Sequence, residues 1–166
     1  LICRALTGSD CTPRADGAPV PGAETPMPYG EERLLSGDQG WLPGDPADYD
    51  REYCVDQVQL SAFLRETQSK IAEALDLDND SPTRRKFLAR LQGEISKRGV
   101  VDVLRNGVKH GPYHIELFYG TPSPGNKQAR VLYEKNRFSV TRQLRYSREE
   151  TQRALDIVLF INGLPV

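Results

Sequence analysis

The chain is poor in the residues that build disulfide frameworks and soft metal sites. It has three cysteines, Cys3, Cys11 and Cys54, and two histidines, His110 and His114. The cysteines are odd in number and lack Cys-x-x-Cys spacing, so neither a disulfide framework nor a zinc cluster is expected. Two histidines also argue against a histidine-rich metal site. This cysteine usage is typical of a reducing compartment, and we predict a cytoplasmic location.

Long apolar runs are absent as well. No stretch approaches the length of a membrane-spanning helix and no signal peptide is visible, so we expect no membrane partner. The 166 residues, of which 38% are hydrophobic and 27% charged, suit one domain covering 1–166. Because the only methionine is Met27 and the chain ends inside a predicted hairpin, we expect a truncated part of a longer polypeptide.

The net charge of −1 hides an uneven distribution. Residues 1–80 carry 6 Lys and Arg against 16 Asp and Glu, whereas residues 81–153 carry 16 against 6. Such asymmetry hints that the basic half contacts nucleic acid. Two oppositely charged surfaces that pack together, or are solvated separately, explain the asymmetry equally well.

The C-terminal stretch carries the strongest local pattern. Residues 157–161 predict a strand buried on both faces, and Asn162-Gly163 predicts a tight hairpin turn. Asp156 stands at the strand's entrance, where a buried carboxylate is costly unless a cation, a hydrogen-bond donor or a metal meets it. The simpler interpretation is that Asp156 ends the preceding loop by accepting backbone N–H groups.

The length of the turn determines what faces Asp156 on the returning strand. A two-residue turn pairs Ile161 with Leu164 and places Asp156 opposite position 169. A three-residue turn with a bulge at Gly163 places it opposite position 168. Either register puts the expected partner of Asp156 beyond Val166.

The rest of the chain predicts a long irregular segment followed by helices and strands. Residues 9–50 are rich in Gly, Pro and acidic residues, which indicates a loop-like insertion pinned to the body by Trp41 and Tyr49. Residues 51–166 are expected to form helices and a sheet core. We predict helices from the N-cap Asp56 to about Leu75, from Ser81-Pro82 to Gly99, and over 126–135 with Asn136 as a left-handed cap.

Several finer expectations concern faces and strands. The second helix carries basic residues on its outer surface, for which solvation is the simpler interpretation and phosphate contact the sharper one. Residues 100–104 fit a strand or a helical turn equally well. Strands are predicted over 113–119 and 138–146; in the second, Phe138, Val140, Leu144 and Tyr146 share one face, and Arg142 interrupts it.

Two stretches, 136–146 and 155–166, are similar to the N-terminal domain of the type I restriction enzyme R subunit. The upstream runs 49–54 and 97–108 also resemble that family in order and spacing, so the likeness covers about Tyr49 to Val166. It implies an α/β fold with a restriction-endonuclease-like core, a mixed β-sheet flanked by helices, together with a helical insertion and a long irregular N-terminal segment.

The resemblance also implies a chemistry. The family's site is an Asp on one strand and a Glu-x-Lys on the next, which bind Mg²⁺ and activate water for DNA cleavage. The Asp corresponds to Asp156, as catalytic residue and metal ligand. The Glu-x-Lys would follow Val166, and the family's acidic residue on its first helix would precede Leu1. We therefore expect that this chain alone does not cleave DNA, whereas the complete subunit does.

The same resemblance implies partners. In the family this domain precedes an ATP-driven DNA translocase, and the complex also holds methylation and specificity subunits. Sequence recognition then lies elsewhere, and this domain need grip only the backbone of double-stranded DNA. We predict that Thr141, Arg142, Gln143 and Arg145, on the strand before Asp156, provide that grip.

Two other functions fit the same residues. One is a non-catalytic domain of this fold that binds DNA or docks a partner subunit. The other is a recombination or repair nuclease that shares the core.

Overall fold

The structure is a computed structural model that describes residues 40–147, 149 and 153–166. In this part of the chain five α-helices flank short strands in a mixed α/β arrangement. The helices are α1 (Gln57–Thr67), α2 (Ser69–Ala74), α3 (Pro82–Arg98), α4 (Val100–Asn106) and α5 (Lys127–Glu134).

The main sheet has four strands and mixed direction. Its order is β1-β6-β7-β8; β1 runs parallel to β6, and the other neighbours are antiparallel. Two short antiparallel pairs, β2 with β3 and β4 with β5, complete the strands. The strands are β1 (Trp41–Pro43), β2 (Tyr49–Asp50), β3 (Val55–Asp56), β4 (Val108–His110), β5 (Tyr113–Ile115), β6 (Phe138–Leu144), β7 (Leu155–Ile161) and β8 (Leu164–Pro165).

The largest core cluster joins the helices to the end of the sheet. Phe63 of α1, Phe87 of α3, Val103 of α4 and Ile115 of β5 are fully buried in it. Leu164 of β8 belongs to the same cluster, so the last hairpin is anchored in the helical layer. The mixed sheet flanked by helices agrees with the predicted fold class at this level.

Local signals predicted the helix ends well. Asp56 accepts a hydrogen bond from Gln59 N and caps α1, and Ser81 accepts one from Arg84 N and caps α3. Gly99 ends α3 with φ of 83°, a conformation that glycine adopts without steric cost. The segment that fitted either a strand or a helical turn is helix α4.

The predicted helix from Asp56 to Leu75 is wrong in one respect, because it breaks at Gln68. There the backbone leaves the helical region, with φ of −142° and ψ of 55°. The Gln68 side chain donates to Glu116 O at 2.7 Å and accepts from Glu116 N at 3.1 Å. A contact with a residue 48 positions away thus divides one predicted helix into α1 and α2.

The predicted strand over 113–119 is too long. Strand β5 ends at Ile115, and the backbone beyond it bonds to side chains instead of a neighbouring strand. Glu116 bonds to Gln68, and Tyr119 bonds through its N and O to the side chain of Asn136. Asn136 is therefore a buried clamp, and it is absent from the described non-glycine residues with positive φ, so its prediction as a left-handed cap is wrong.

The irregular segment predicted over 9–50 is partly wrong. Residues 9–39 lie outside the described part of the chain. Residues 41–50 contain strand β1, a 3₁₀ turn over Pro46–Asp48, and strand β2. The predicted pins are confirmed: the Trp41 and Phe138 rings lie 5.6 Å apart, and the Tyr49 and Phe160 rings 5.9 Å apart.

Two predictions about the long strands also need correction. The strand predicted to be buried on both faces over 157–161 is buried only at Val158 and Phe160; Leu159 and Ile161 are half-buried and Ile157 is exposed. Val140 and Leu144 do not share a cluster: Val140 packs with Trp41 and Leu159, whereas Leu144 packs with Val158, Phe160 and Tyr49. A positive φ of 53° at Gln143 lies between them and interrupts the simple alternation.

Candidate functional site

The hairpin formed by β7 and β8 turns through two residues. Asn162 and Gly163 both have positive φ, 51° and 83°, and Ile161 pairs with Leu164. This confirms the predicted Asn-Gly turn and selects the two-residue alternative. Phe160 pairs with Pro165 in the same register.

The turn packs against the start of α1. Asp56 N donates to Gly163 O at 2.8 Å. A Cβ atom at Gly163 would lie 2.5 Å from Asp56 O and 2.6 Å from Leu60 N. Glycine is required here twice, by its positive φ and by the closeness of the helix backbone.

The Asn162 side chain is the centre of a buried polar network. It is fully buried, and its Oδ1 accepts from Arg137 N at 2.6 Å. Its Nδ2 donates to Leu117 O at 2.9 Å and to Asn136 Oδ1 at 3.0 Å. Because both sides of the amide are engaged, Asn162 ties the turn to β6 and to the segment after β5 at once.

Arg137 extends the network to α1. Its Nε donates to Gln59 Oε1 at 2.8 Å, and one terminal nitrogen donates to Glu66 Oε1 at 3.0 Å. Only 8% of Arg137 is exposed, so its charge lies almost entirely inside the protein beside these acceptors. The contacts hold the start of β6 against the polar side of α1.

The buried carboxylate of Asp56 adds a titratable group near this end. Burial raises the pKa of Asp56 to about 6, against the lowering effect of the hydrogen bond from Gln59 N. Repulsion from Asp48 also raises this pKa, and attraction to Arg137 lowers it. The turn end of the hairpin therefore includes a carboxyl group that titrates just below neutral pH.

The candidate catalytic residue lies at the other end of β7. Asp156 is exposed, as are its neighbours Leu155 and Ile157. The argument that a buried carboxylate there needs a compensating partner is thus wrong, because water reaches it. Asp156 nevertheless has a specific neighbour: Gln143 Nε2 donates to its Oδ1 at 3.2 Å.

The four residues predicted to grip DNA differ in exposure. Gln143 and Arg145 are exposed and Arg142 is half-buried. Thr141 is 1% exposed, and its hydroxyl oxygen lies 2.1 Å from the position that a Cβ on Gly44 would take. The structure therefore places Gln143, which contacts Asp156, and Arg145 at the surface, holds Arg142 half-buried, and leaves Thr141 in the interior.

The basic residues of α3 are largely paired with nearby acids. Arg90 and Arg98 contact Glu94 at 3.0 and 2.8 Å, and Arg98 also contacts Asp102 at 2.7 Å. Arg84 and Arg85 both contact Asp80 in the connector before the helix. These pairs favour the simpler interpretation of that surface, a solvated helix face with its own acids.

A cavity of about 570 Å³ lies elsewhere, between the 122–126 loop and α5. Its lining includes Lys127, Tyr133 and Phe138. Phe138 pairs with Ile161 beside the turn, so the cavity borders the end of β6 remote from Gln143 and Asp156. It does not include the candidate catalytic residue.

The carboxylate of Asp156 suits a hard divalent cation. Mg²⁺ binds oxygen ligands and usually takes one or two carboxylates along with waters and substrate phosphates. Among the described residues, no group of three His, Cys, Asp or Glu side chains is placed to hold a metal. An exposed carboxylate such as Asp156 is chemically suited to be one such ligand, and its role as a metal ligand stays a prediction.

Sequence reasoning missed the network around Asn162. Asn162 was interpreted only as a turn residue and Asn136 only as a left-handed helix cap, and Arg137 was given no separate role. The available signal was their polarity beside apolar runs, since a polar side chain among core residues must find partners. Their identity as partners depends on contacts between distant parts of the chain.

The geometry thus defines a mixed α/β domain with an exposed aspartate on a sheet strand and a turn locked into the core. Residues 33–166 match the family model described as the type I restriction enzyme R protein N terminus, so the chain belongs to this family. That confirms the predicted resemblance and extends it upstream of Tyr49.

No curated protein and no solved structure matches the chain, and a restriction-endonuclease-like fold stays a prediction. Within the described residues, none of the helices combines the length and apolar character needed to cross a bilayer.

Proposed function

We propose that this chain is part of a Mg²⁺-dependent endonuclease domain that hydrolyses phosphodiester bonds in DNA as part of a type I restriction enzyme. Membership of the R protein N-terminal family supports the proposal. The observation that supports assigning the proposed chemistry to Asp156 is its exposed carboxylate, held by a hydrogen bond at the open end of the β6–β7 ladder. Exposure is what a group that meets both a cation and a DNA phosphate requires.

In this proposal Asp156 is a metal ligand. Mg²⁺ bound there would lower the pKa of a bound water and offset negative charge on the phosphate. The Glu-x-Lys pair that the family resemblance predicts on the following strand would complete the site. ATP would be used by the translocase part of the subunit and not by this domain.

DNA contact is assigned to the surface beside Asp156. Arg142 and Arg145 lie on either side of Gln143 in the chain, and Arg145 is exposed, so this segment supplies cationic side chains for the proposed contact. Contacts of this kind to phosphates hold DNA without reading its sequence. The methylation and specificity subunits would then determine which DNA the complex engages.

The test is Asp156→Ala in the complete R subunit, assembled with its partner subunits and supplied with Mg²⁺ and ATP. We expect cleavage of double-stranded DNA to fall to the level of a magnesium-free control, because a metal ligand is lost. ATP hydrolysis and translocation should persist. The measurements are a nicking and linearisation assay on plasmid DNA and an ATPase assay on the same preparation.

The matched control is Asp78→Ala. Asp78 is an exposed carboxylate in the connector between α2 and α3, paired with Arg65, so its loss tests removal of surface charge alone. Cleavage by this variant should be unchanged. Undiminished cleavage by Asp156→Ala would contradict the proposal and leave the non-catalytic, DNA-binding or subunit-docking function as the one that fits.

A further inference from the structure

The ladder between β6 and β7 is interrupted at one rung. Arg142 pairs with Ile157, and Leu144 pairs with Leu155, on either side of Gln143 and Asp156. Those two residues face each other in the same register but are not paired in the ladder. Instead, the Gln143 side chain donates from Nε2 to Asp156 Oδ1 at 3.2 Å.

Gln143 also has an unusual backbone conformation for its position. Its φ is 53°, inside a strand whose regular residues have strongly negative φ. A residue with a long side chain rarely adopts positive φ, and such conformations persist where the surrounding structure requires them, often at functional sites. Gln143 is exposed, so burial of its side chain does not explain why its backbone is held at positive φ.

We infer that Gln143 is a positioning residue for Asp156: its amide holds Oδ1 so that the carboxylate presents Oδ2 to a divalent cation. The inference rests on the proposed function. Partners that hydrogen-bond to a metal ligand fix its orientation, and their loss typically weakens metal affinity or activity 10- to 100-fold. An exposed carboxylate has free rotation about its side-chain bonds, so a fixed donor limits its orientations before the cation arrives.

The interpretation differs from the predicted role of Gln143 in DNA binding. A phosphate contact would use the amide group as a donor to DNA, and its loss would weaken DNA binding with or without a cation. A positioning role uses the amide within the protein, so its loss changes the dependence on the cation and leaves metal-free DNA binding intact.

The experiment is Gln143→Gly in the complete R subunit. Glycine accepts a φ of 53° without strain, so the substitution removes the amide without imposing a new backbone cost. We expect the Mg²⁺ concentration for half-maximal cleavage to rise about 10-fold, with most of the maximal rate recovered at saturating Mg²⁺. Binding of double-stranded DNA without divalent cations should be unchanged.

The matched control is Asp76→Gly. Asp76 also has positive φ, 52°, but lies in the connector after α2. This variant makes the same kind of backbone change away from the site, and its Mg²⁺ dependence should equal that of the unaltered subunit. The thermal unfolding temperature of both variants shows whether any effect arises from loss of folded protein.

Each result decides the inference. An unchanged half-maximal Mg²⁺ concentration in Gln143→Gly overturns it, as does a lower maximal rate with that concentration unchanged. Weaker metal-free DNA binding with unchanged Mg²⁺ dependence overturns it in favour of the DNA-contact role. If Asp156→Ala loses cleavage and Gln143→Gly leaves the half-maximal Mg²⁺ concentration unchanged, the proposed function holds and the positioning role of Gln143 fails. If Asp156→Ala still cleaves DNA, the proposed function and the positioning role both fail.

Discussion

The two ends of strand β7 are built in opposite ways. At the turn end, Asn162 is fully buried and its side chain makes three hydrogen bonds to other parts of the chain. At the open end, Asp156 is exposed, and the hydrogen bond from Gln143 replaces a rung of the ladder. One strand thus connects a rigid anchor with a solvent-accessible acid.

Under the proposed function, the two ends of β7 serve different purposes, stability at the turn end and chemistry at the open end. The Asn162 side chain is buried with its oxygen and nitrogen both engaged, and an unsatisfied buried group would cost about 1–3 kcal/mol. In the proposed function Asp156 has to meet a cation and a phosphate, which requires that it stay accessible and that its orientation come from Gln143 on the neighbouring strand. Substitutions at the anchored end should therefore change stability, and those at the open end should change activity.

The largest expected effect is that of Gly163→Ala at the anchored end. A new Cβ would lie 2.5 Å from the backbone oxygen of Asp56, the N-cap of α1, and 2.6 Å from Leu60 N, and would also require positive φ in a non-glycine residue. We expect a loss of about 5 kcal/mol or more in the free energy of unfolding, enough to leave the chain largely unfolded. Circular dichroism and urea denaturation measure the loss.

Gly125→Ala is the matched control. Gly125 has φ of 87°, close to the 83° of Gly163, but a Cβ there meets nothing within 4 Å. Its substitution isolates the cost of positive φ, about 1 kcal/mol. Similar losses for both variants would show that the contact with α1 does not anchor the turn.

The second effect is that of Asn162→Ala. The change leaves Arg137 N and Leu117 O without their side-chain partner inside the protein. We expect the free energy of unfolding to fall by about 4 kcal/mol, from two unsatisfied groups and the lost packing. Equilibrium denaturation with urea gives the value.

Asn106→Ala serves as its control. Asn106 also donates from its side-chain amide, to Asp102 at 2.8 Å, but at an exposed position. Water replaces that bond, so we expect a change within about 0.5 kcal/mol. If Asn162→Ala lowered the free energy of unfolding by as little as this, the buried network would not stabilise the turn end of β7 more than the open end.

How much of the fold and of the candidate site can be predicted from the sequence depends on how far apart the interacting residues are along the chain. Asn162-Gly163, the Asp56 cap and the Ser81-Pro82 start are local signals, and each is found where the sequence places it. They are predictable because the turn or cap depends on backbone groups within a few residues. Asp156 was singled out in the same way, from its position at a strand entrance.

The missed features depend on distant partners. Gln68 breaks a helix because it bonds to Glu116, 48 residues away, and Arg137 bonds to Gln59 across 78 residues. The positive φ at Gln143 gave no local signal, because glutamine is not a residue that usually adopts it. Tertiary contacts overrode propensity at these positions, and periodicity contains no information about them.

The smallest of the predicted effects is the pH dependence of stability that Asp56 causes at the anchored end. Burial raises the pKa of Asp56 to about 6, above the ordinary 3.8, so the folded chain binds this proton more tightly than the unfolded chain. Between about pH 4 and pH 6 the folded state therefore holds more protons, and stability falls as pH rises through that window. Asn lacks this titration and still caps a helix, so Asp56→Asn should remove the slope.

We expect the free energy of unfolding of Asp56→Asn, relative to the unaltered chain, to rise by about 2 kcal/mol between pH 4 and pH 7. Urea denaturation at successive pH values measures this difference. Asp76→Asn is the control with the opposite sign: hydrogen bonds from Asn79 and Ser81 lower the pKa of Asp76, so its contribution is present at neutral pH and lost as pH falls. If the free energy of unfolding changed with pH in the same way for both variants, Asp56 would be solvated in the folded chain and the anchored end would not be closed to water.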